Sequence, residues 1–401
     1  MLLLEIIKEK SKEIFDEIVS IRRHLHMYPE LSFKEYETSK YIKSLLKNWN
    51  ISYKENIAEN GIVVIISGDI EHKNYNCLNT IALRADFDAL PIEEETDLNF
   101  TSKNPGVMHA CGHDLHTASL LGVIKILNSL KDKFSGTIKF IFQPAEEMLP
   151  GGAAKMISEG VLKNPNVNIA LAQHVYTELD VGKVGFRKGQ YMASTDEIYI
   201  NVEGQNGHAA IVEGSKNPIS VASHLVFELN SHFKKKKFNK HIFSIGNFIS
   251  NGSTNIIPKI AKLKGTFRAM SEDFRKKSHE NIRKIVSIIE KESNCKVFLE
   301  IRKGYPSLFN DVDITQKTID FAAKYLGEEN VVELDERMTA EDFAYFSQKV
   351  PSCFYRLGVS NKHDKNRYGL HNSKFNPDEK SLLIGCGLMS WIAINHLNCQ
   401  H

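Results

Sequence analysis

A chain of 401 residues is longer than a single hydrophobic core normally fills, so two domains are the starting expectation. Its 42% hydrophobic and 25% charged residues are those of a soluble globular protein rather than a disordered or membrane one. A formal net charge of +2 argues against a dedicated nucleic-acid surface, and no segment reaches transmembrane length.

The run Lys234-Lys235-Lys236-Lys237 reads as a solvated loop. Six cysteines (77, 111, 295, 353, 386, 399) are too sparse for a disulfide framework, which points to a reducing compartment and makes the cytoplasm the default. Met1 to Leu4 resembles the start of an export signal, but Glu5, Lys8, Glu9 and Lys10 interrupt it.

The first predicted element is one amphipathic helix over about 5–26, where Ile6, Ile7, Ile14, Phe15, Ile18, Val19 and Ile21 recur at helical spacing. A second helix covers about 34–48. Strands then alternate with helices: strand 61–67, strand 80–85, helix 115–130, strand 137–142, helix near 151–160 and strand 168–173. That alternation predicts an α/β fold, a central mixed sheet flanked by helices.

Around Gly189 the pattern changes to half-exposed strands at 197–202 and 262–268, with helices at about 218–231 and 274–292 and a closing strand at 296–302. This predicts an inserted α+β domain over 189–305, within a catalytic domain built from 1–188 and 306–401. Helices at 315–326 and 379–394 return to the first sheet.

The chemistry concentrates in His109-Ala110-Cys111-Gly112-His113-Asp114-Leu115-His116, where a thiol, three imidazoles and a carboxylate precede an apolar helix. Soft thiolate with borderline imidazole suits zinc or a neighbouring divalent ion, and Gly112 lets the backbone turn so that Cys111 and His113 converge. Asp114 reads as the N-cap of the following helix rather than a ligand. Asp86, the Glu146-Glu147 pair and His174 all fall just past predicted strand ends, where open α/β sheets bind ligands. Adjacent carboxylates diverge, so one can bind metal while its neighbour works as a general base. With His371 in the loop before the last helix, Cys111, His113, Glu147 and His174 make five candidate ligands, enough for two metals.

These blocks, in this order, resemble a known family. They are Arg22-Arg23-His24-Leu25-His26, Leu83-Arg84-Ala85-Asp86-Phe87-Asp88-Ala89-Leu90-Pro91-Ile92, the Cys111 cluster, Gln143-Pro144-Ala145-Glu146-Glu147, Gly207-His208-Ala209-Ala210 and Asn255-Ile256-Ile257-Pro258, followed by Gly265-Thr266-Phe267-Arg268, Glu341-Asp342-Phe343-Ala344-Tyr345 and Leu370-His371-Asn372. The chain resembles the binuclear metallo-amidohydrolases of aminoacylase and carboxypeptidase type, in the branch of hippurate hydrolase, indoleacetyl-amino-acid hydrolase and bacterial N-acyl-amino-acid amidohydrolases.

The resemblance implies a zinc-exopeptidase-like catalytic domain with an inserted lid or dimerisation domain, and hence a homodimer. It implies Cys111, His113, Glu147, His174 and His371 as ligands of two divalent ions, zinc foremost with manganese, cobalt or nickel as alternatives. Glu146 would be the general base and acid, and Asp86 would hold a ligand in place from behind. His208 would donate to the oxyanion, and Asn255 and Arg268 would bind the free carboxylate of an N-acyl-L-amino acid. In peptidase relatives a metal-binding His stands where this chain has Arg84, and the branch often continues Gly-His-Ala-Ala with Met-Pro-His where this chain has Ile211-Val212-Glu213.

Competing readings are a metallo-dipeptidase or carboxypeptidase, a Cys111 nucleophile with His113 as its base, and a non-catalytic amino-acid-binding protein on the same fold. Nothing in the chain suggests a nucleic-acid or membrane partner.

Overall fold

A computed structural model describes residues 2–71, 78–236, 239–361 and 367–398. Cys77, Lys237 and Cys399 lie outside the described residues.

The chain opens with two helices, α1 (Leu3–Glu13) and α2 (Phe15–Met27), where the periodicity predicts one. The break at Ile14 lets each half follow its own partner. α1 buries Ile7 against the last helix of the chain, and α2 turns Ile18, Ile21 and Leu25 toward the helix that follows Gly112. Next come α3 (Tyr36–Asn48), β1 (Tyr53–Ile57), β2 (Gly61–Ser67), β3 (Thr80–Asp86), α4 (His113–Asn128), β4 (Thr137–Gln143), α5 (Gly152–Ser158), β5 (Ile169–Asp180), β6 (Val184–Phe186) and β7 (Gly189–Met192).

The middle of the chain gives β8 (Asp196–Glu203), β9 (Gly207–His208), α6 (Pro218–Lys234), β10 (His241–Ile249), β11 (Ile256–Ile257), β12 (Ile260–Ala269), α7 (Glu272–Glu292) and β13 (Lys296–Lys303). After it come β14 (Leu308–Asn310), α8 (Val312–Leu326), β15 (Val331–Glu333), α9 (Ala344–Ser347), β16 (Ser352–Ser360) and α10 (Ser381–Leu397). The chain divides into two compact units, Met1–Gly189 with Phe309–Asp335 and Asp342–His401, and Gln190–Leu308 with Glu336–Glu341.

The first unit is α/β. Its sheet runs in the order β1-β2-β4-β3-β5-β16-β6-β15, with β4, β3, β5 and β16 parallel and antiparallel pairs on both sides of them. α4 and α10 are buried over almost their whole length, as helices sunk in the core of a large domain must be, and they pack on each other and on the central strands. Parallel central strands place their carboxyl ends along one edge of the sheet, and the segments leaving β3 and β4 there carry Asp88, Glu146 and Glu147.

The second unit is an antiparallel sheet, β10-β12-β8-β13, packed against α6 and α7. β8 alternates, burying Ile198, Ile200 and Val202 while Tyr199 and Asn201 face outward. Asn217 and Ser271 cap α6 and α7 through their side chains. Among the described residues no helix is long and apolar enough to cross a membrane.

Candidate metal centre

Residues from the segments after β3 and β4 and from within β5 converge in the first unit. Gly112 adopts φ +81 between Cys111 and His113, and a Cβ there would meet Val175 Cγ2 at 2.5 Å, so only glycine permits this turn. The turn delivers Cys111 Sγ to 3.6 Å from His174 Nε2. His174 is not past a strand end, as the sequence reading has it, but within β5. β5 parts from β3 after Ala172 and continues through His174 paired with β16, a strand the sequence reading leaves out.

Donor atoms of Cys111, His113 and His174 lie within 4.8 Å of one another, as do those of Cys111, Glu147 and His371 and those of His113, Glu146 and Glu147. The five predicted ligands and the predicted base therefore form one connected cluster. His371 reaches it from a loop held by its N–H donating to Ala110 O at 2.8 Å, and its Nε2 stands 3.2 Å from Glu147 Oε1.

The imidazoles are oriented from behind. His174 Nδ1 donates to Val175 O at 2.8 Å, which leaves Nε2 as the lone-pair atom toward Cys111. His113 Nδ1 bonds Asp88 Oδ1 at 3.0 Å. The carboxylate that holds a predicted ligand is thus Asp88, whereas Asp86 accepts its hydrogen bond from His116 Nδ1 at 2.6 Å and stays 3.8 Å from His113 Nε2. Asp88 also accepts Glu147 N–H at 2.9 Å and the Ser32 hydroxyl at 2.6 Å, so one side chain fixes two predicted ligands.

Asp114 does not cap α4, whose N-cap is Gly112. It lies inside the helix, fully buried, 2.8 Å from Arg22 Nε and 2.9 Å from His26 Nδ1, and this pairing holds its carboxyl far below the usual range despite the cost of burial. His109 is buried with neither ring nitrogen hydrogen-bonded, and burial pushes it down to about 4, so it stays neutral.

The fit to cations rests on two buried donor atoms that make no hydrogen bond. They are His113 Nε2 and Glu147 Oε1, which stand 3.8 Å apart, and Glu147 Oε1 lies 3.2 Å from the ring of another predicted ligand, His371. Burial alone would lower His113, but the Asp86 and Asp88 carboxylates prevail and raise it to about 10. Burial pushes the Cys111 thiol well up, and the Glu147 and Glu146 carboxylates push it further. Such a thiol is the opposite of an activated nucleophile, and the imidazole placed against it is His174 rather than His113. A divalent cation inverts this logic, taking up the thiolate and the imidazole lone pair that the carboxylates otherwise keep protonated.

Three sequence-predicted residues belong to the second unit. His208 on β9 pairs with Ile256 on β11, and Ala209 N–H donates to Asn255 O at 3.0 Å, so His208 and Asn255 are neighbours. His208 Nδ1 accepts Ala210 N–H at 3.1 Å, which leaves Nε2 of the exposed ring as the donor. Arg268, half-buried on β12, donates to Met338 O at 2.9 Å.

The sequence profile of Peptidase family M20/M25/M40 matches residues 82–394. The chain belongs to this family. It is a hydrolase of the M20 type. It is 37% identical over 402 residues to thermostable carboxypeptidase 1 of Saccharolobus solfataricus, covering 99% of both chains. It is 36% identical over 369 residues to N-acetyldiaminopimelate deacetylase of Bacillus cytotoxicus, covering 91% of this chain and 94% of that one. The crystal structure of the Bacillus subtilis YXEP protein, described as a dinuclear metal binding peptidase of the M20 family, superposes with a TM-score of 0.81 at 31% identity, covering 97% of this chain and 100% of that chain.

Proposed function

We propose that this M20 hydrolase cleaves the amide bond of N-acyl-L-amino acids, releasing a carboxylic acid and a free amino acid, with Cys111, His113, Glu147, His174 and His371 holding two divalent cations. The observation that carries the reading is that the buried atoms His113 Nε2 and Glu147 Oε1 make no hydrogen bond inside a cluster of thiol, imidazole and carboxylate donors. Cations there would polarise the amide carbonyl and make water a stronger acid. Zinc suits the thiolate and imidazole donors best, with manganese, cobalt and nickel as substitutes.

The protein's own part is proton transfer and orientation. Glu146, beside the ligand Glu147 and facing the Asp342 N–H, takes a proton from the attacking water and returns it to the leaving amine. His208, with Nε2–H outward, donates to the carbonyl oxygen as charge develops, a contribution of about 3 kcal/mol in comparable sites. Asn255 and Arg268 bind the substrate's free carboxylate, for which a guanidinium offers paired donors. The inserted segment 189–305 serves as lid and dimerisation domain, and the enzyme works in the cytoplasm.

The resemblance to the N-acetyldiaminopimelate deacetylase favours an acyl-amino-acid substrate. The resemblance to the carboxypeptidase supports a second reading, in which the acyl group is itself part of a peptide. A panel of N-acetyl-, N-benzoyl- and N-indoleacetyl-amino acids and dipeptides, offered to protein stripped with chelator and reloaded with each metal, decides between them. Release of amino acid from the N-acyl compounds is expected. Cleavage of dipeptides alone would establish the second reading, and full activity after chelation would remove the metals from the mechanism.

A further inference from the structure

The buried side chain of Arg84, on β3, serves three acceptors at once. Nε donates to Gln143 Oε1 at 2.9 Å, Nη1 to Asp86 Oδ2 at 2.5 Å and Nη2 to Asp342 Oδ1 at 2.7 Å. Gln143 closes a ring by donating from Nε2 to both Asp342 oxygens at 2.9 and 2.8 Å, and the second of those oxygens also accepts Ala153 N–H at 3.0 Å. The Asp342 carboxylate is therefore clamped on both oxygens by groups from β3, β4 and α5. Its own backbone N–H points at Glu146 Oε1, 3.4 Å away.

We propose that Arg84 is the positioning residue for Glu146, acting through Asp342: the guanidinium locks the Asp342 carboxylate, and this fixes the backbone N–H that the Glu146 carboxylate faces. The inference rests on the reading of Glu146 as the general base. Gln143 reinforces it, because it lies in the clamp and sits three residues before Glu146, so both ends of the short connection out of β4 are tied to one guanidinium. A planar fork with donors in three directions is needed for this. A lysine ammonium is a single point on a flexible stem and cannot meet Gln143, Asp86 and Asp342 together. The other arm of the fork steadies Asp86, whose partner His116 accepts Val175 N–H at 2.9 Å, beside His174.

Arg84→Lys and Asp342→Asn in the full-length, metal-loaded enzyme test this, the second being nearly isosteric and still able to accept the Ala153 N–H should the first fail to fold. Metal content and Tm are measured beside kcat and KM on the N-acyl-amino acid that the parent enzyme cleaves best, and hydrogen exchange is followed at the Asp342 amide. The expected result is a kcat lowered about 100-fold with KM within about threefold and metal content unchanged, the pattern of a misplaced catalytic group. Exchange at the Asp342 amide should accelerate about tenfold or more, a local loosening that needs no substrate to be seen. In a Glu146→Gln background Arg84→Lys should add almost nothing to the loss, because its effect passes through Glu146.

Unchanged kcat and unchanged amide exchange in both variants would overturn the proposal, and so would loss of metal in place of loss of kcat or full additivity with Glu146→Gln. Undiminished turnover by Glu146→Gln alone would instead overturn the assignment of the base, and is read independently of Arg84.

Discussion

Asp88 Oδ1 lies 3.0 Å from His113 Nδ1, and the other oxygen of the same carboxylate accepts the Glu147 N–H at 2.9 Å. One buried side chain thereby sets the ring orientation of one candidate ligand and the backbone position of another. Asp88→Ala should weaken metal binding about 10- to 100-fold while leaving the Cys111 and His174 side of the cluster in place. Chelator-competition titration reads the affinity, and activity should return at high metal concentration. An unchanged affinity would show that the packing around His113 orients it without Asp88.

Glu146 and Glu147 are adjacent, yet the proposal gives them different work, and an isosteric change separates them. Glu146→Gln should lower kcat by about 10²- to 10⁴-fold, the usual contribution of a general base, with both metal equivalents retained. Glu147→Gln should lose metal first. Elemental analysis alongside single-turnover kinetics distinguishes the two, and equal metal loss in both variants would place Glu146 among the ligands.

Gly112 makes a sharper prediction, because backbone strain and a direct clash coincide there. At φ +81, with Val175 Cγ2 2.5 Å from the position a Cβ would occupy, Gly112→Ala must displace either the turn or β5. A loss of about 1–3 kcal/mol is expected from the backbone conformation alone. Because Cys111 and His113 flank the turn, metal affinity should fall with stability. Thermal melts with and without added metal would show it, and a variant with wild-type Tm in both would contradict the geometry.

The elements around this centre were legible where local pattern and tertiary context agree. β2 runs over Gly61–Ser67, the bounds that its short apolar run predicts, and the Cys111 cluster announces itself by residue type. β16 was not legible. Ser352–Ser360 is buried on both faces, so it shows no period of two, and Arg356 interrupts its apolar run at a point where the fold covers the guanidinium with Phe354 and Tyr176. Without β16 as a partner, the strand that carries His174 reads as ending at Gln173, whereas pairing with β16 carries it on through His174.

Asp86 and Asp88 pose a subtler problem. Two residues apart in an extended segment, they share a direction, and no sequence rule says which reaches His113 and which is drawn to Arg84 and His116. The roles of Arg84 and Asp342 were invisible for a similar reason, since their pairing joins segments 258 residues apart.

The second unit carries its own buried charge, and it responds to acid. Asp196 is paired with both arms of Arg275, Nη2 to Oδ1 at 2.5 Å and Nε to Oδ2 at 2.9 Å, and lies 2.6 Å from His279 Nε2. Burial alone would raise its carboxyl, but the His279 and Arg275 contacts outweigh it and hold the group below the usual 3.8. A depressed carboxylate stabilises the folded state fully above its unfolded value, and that stabilisation disappears as pH falls through the folded value. Asp196→Asn should therefore cost about 3 kcal/mol near neutrality, reduced to the extent that Glu272, 3.1 Å from Arg275 Nη1, takes over the freed guanidinium. The gap between parent and variant should stay constant down to about pH 5 and close below about pH 4. The chain's two tryptophans, Trp49 and Trp391, both belong to the first unit, so their fluorescence will not report this, and hydrogen exchange in β8 and α7 is the appropriate measurement. A gap that widens on acidification would mean that Asp196 is protonated in the folded protein, and the ion pair would have to be abandoned.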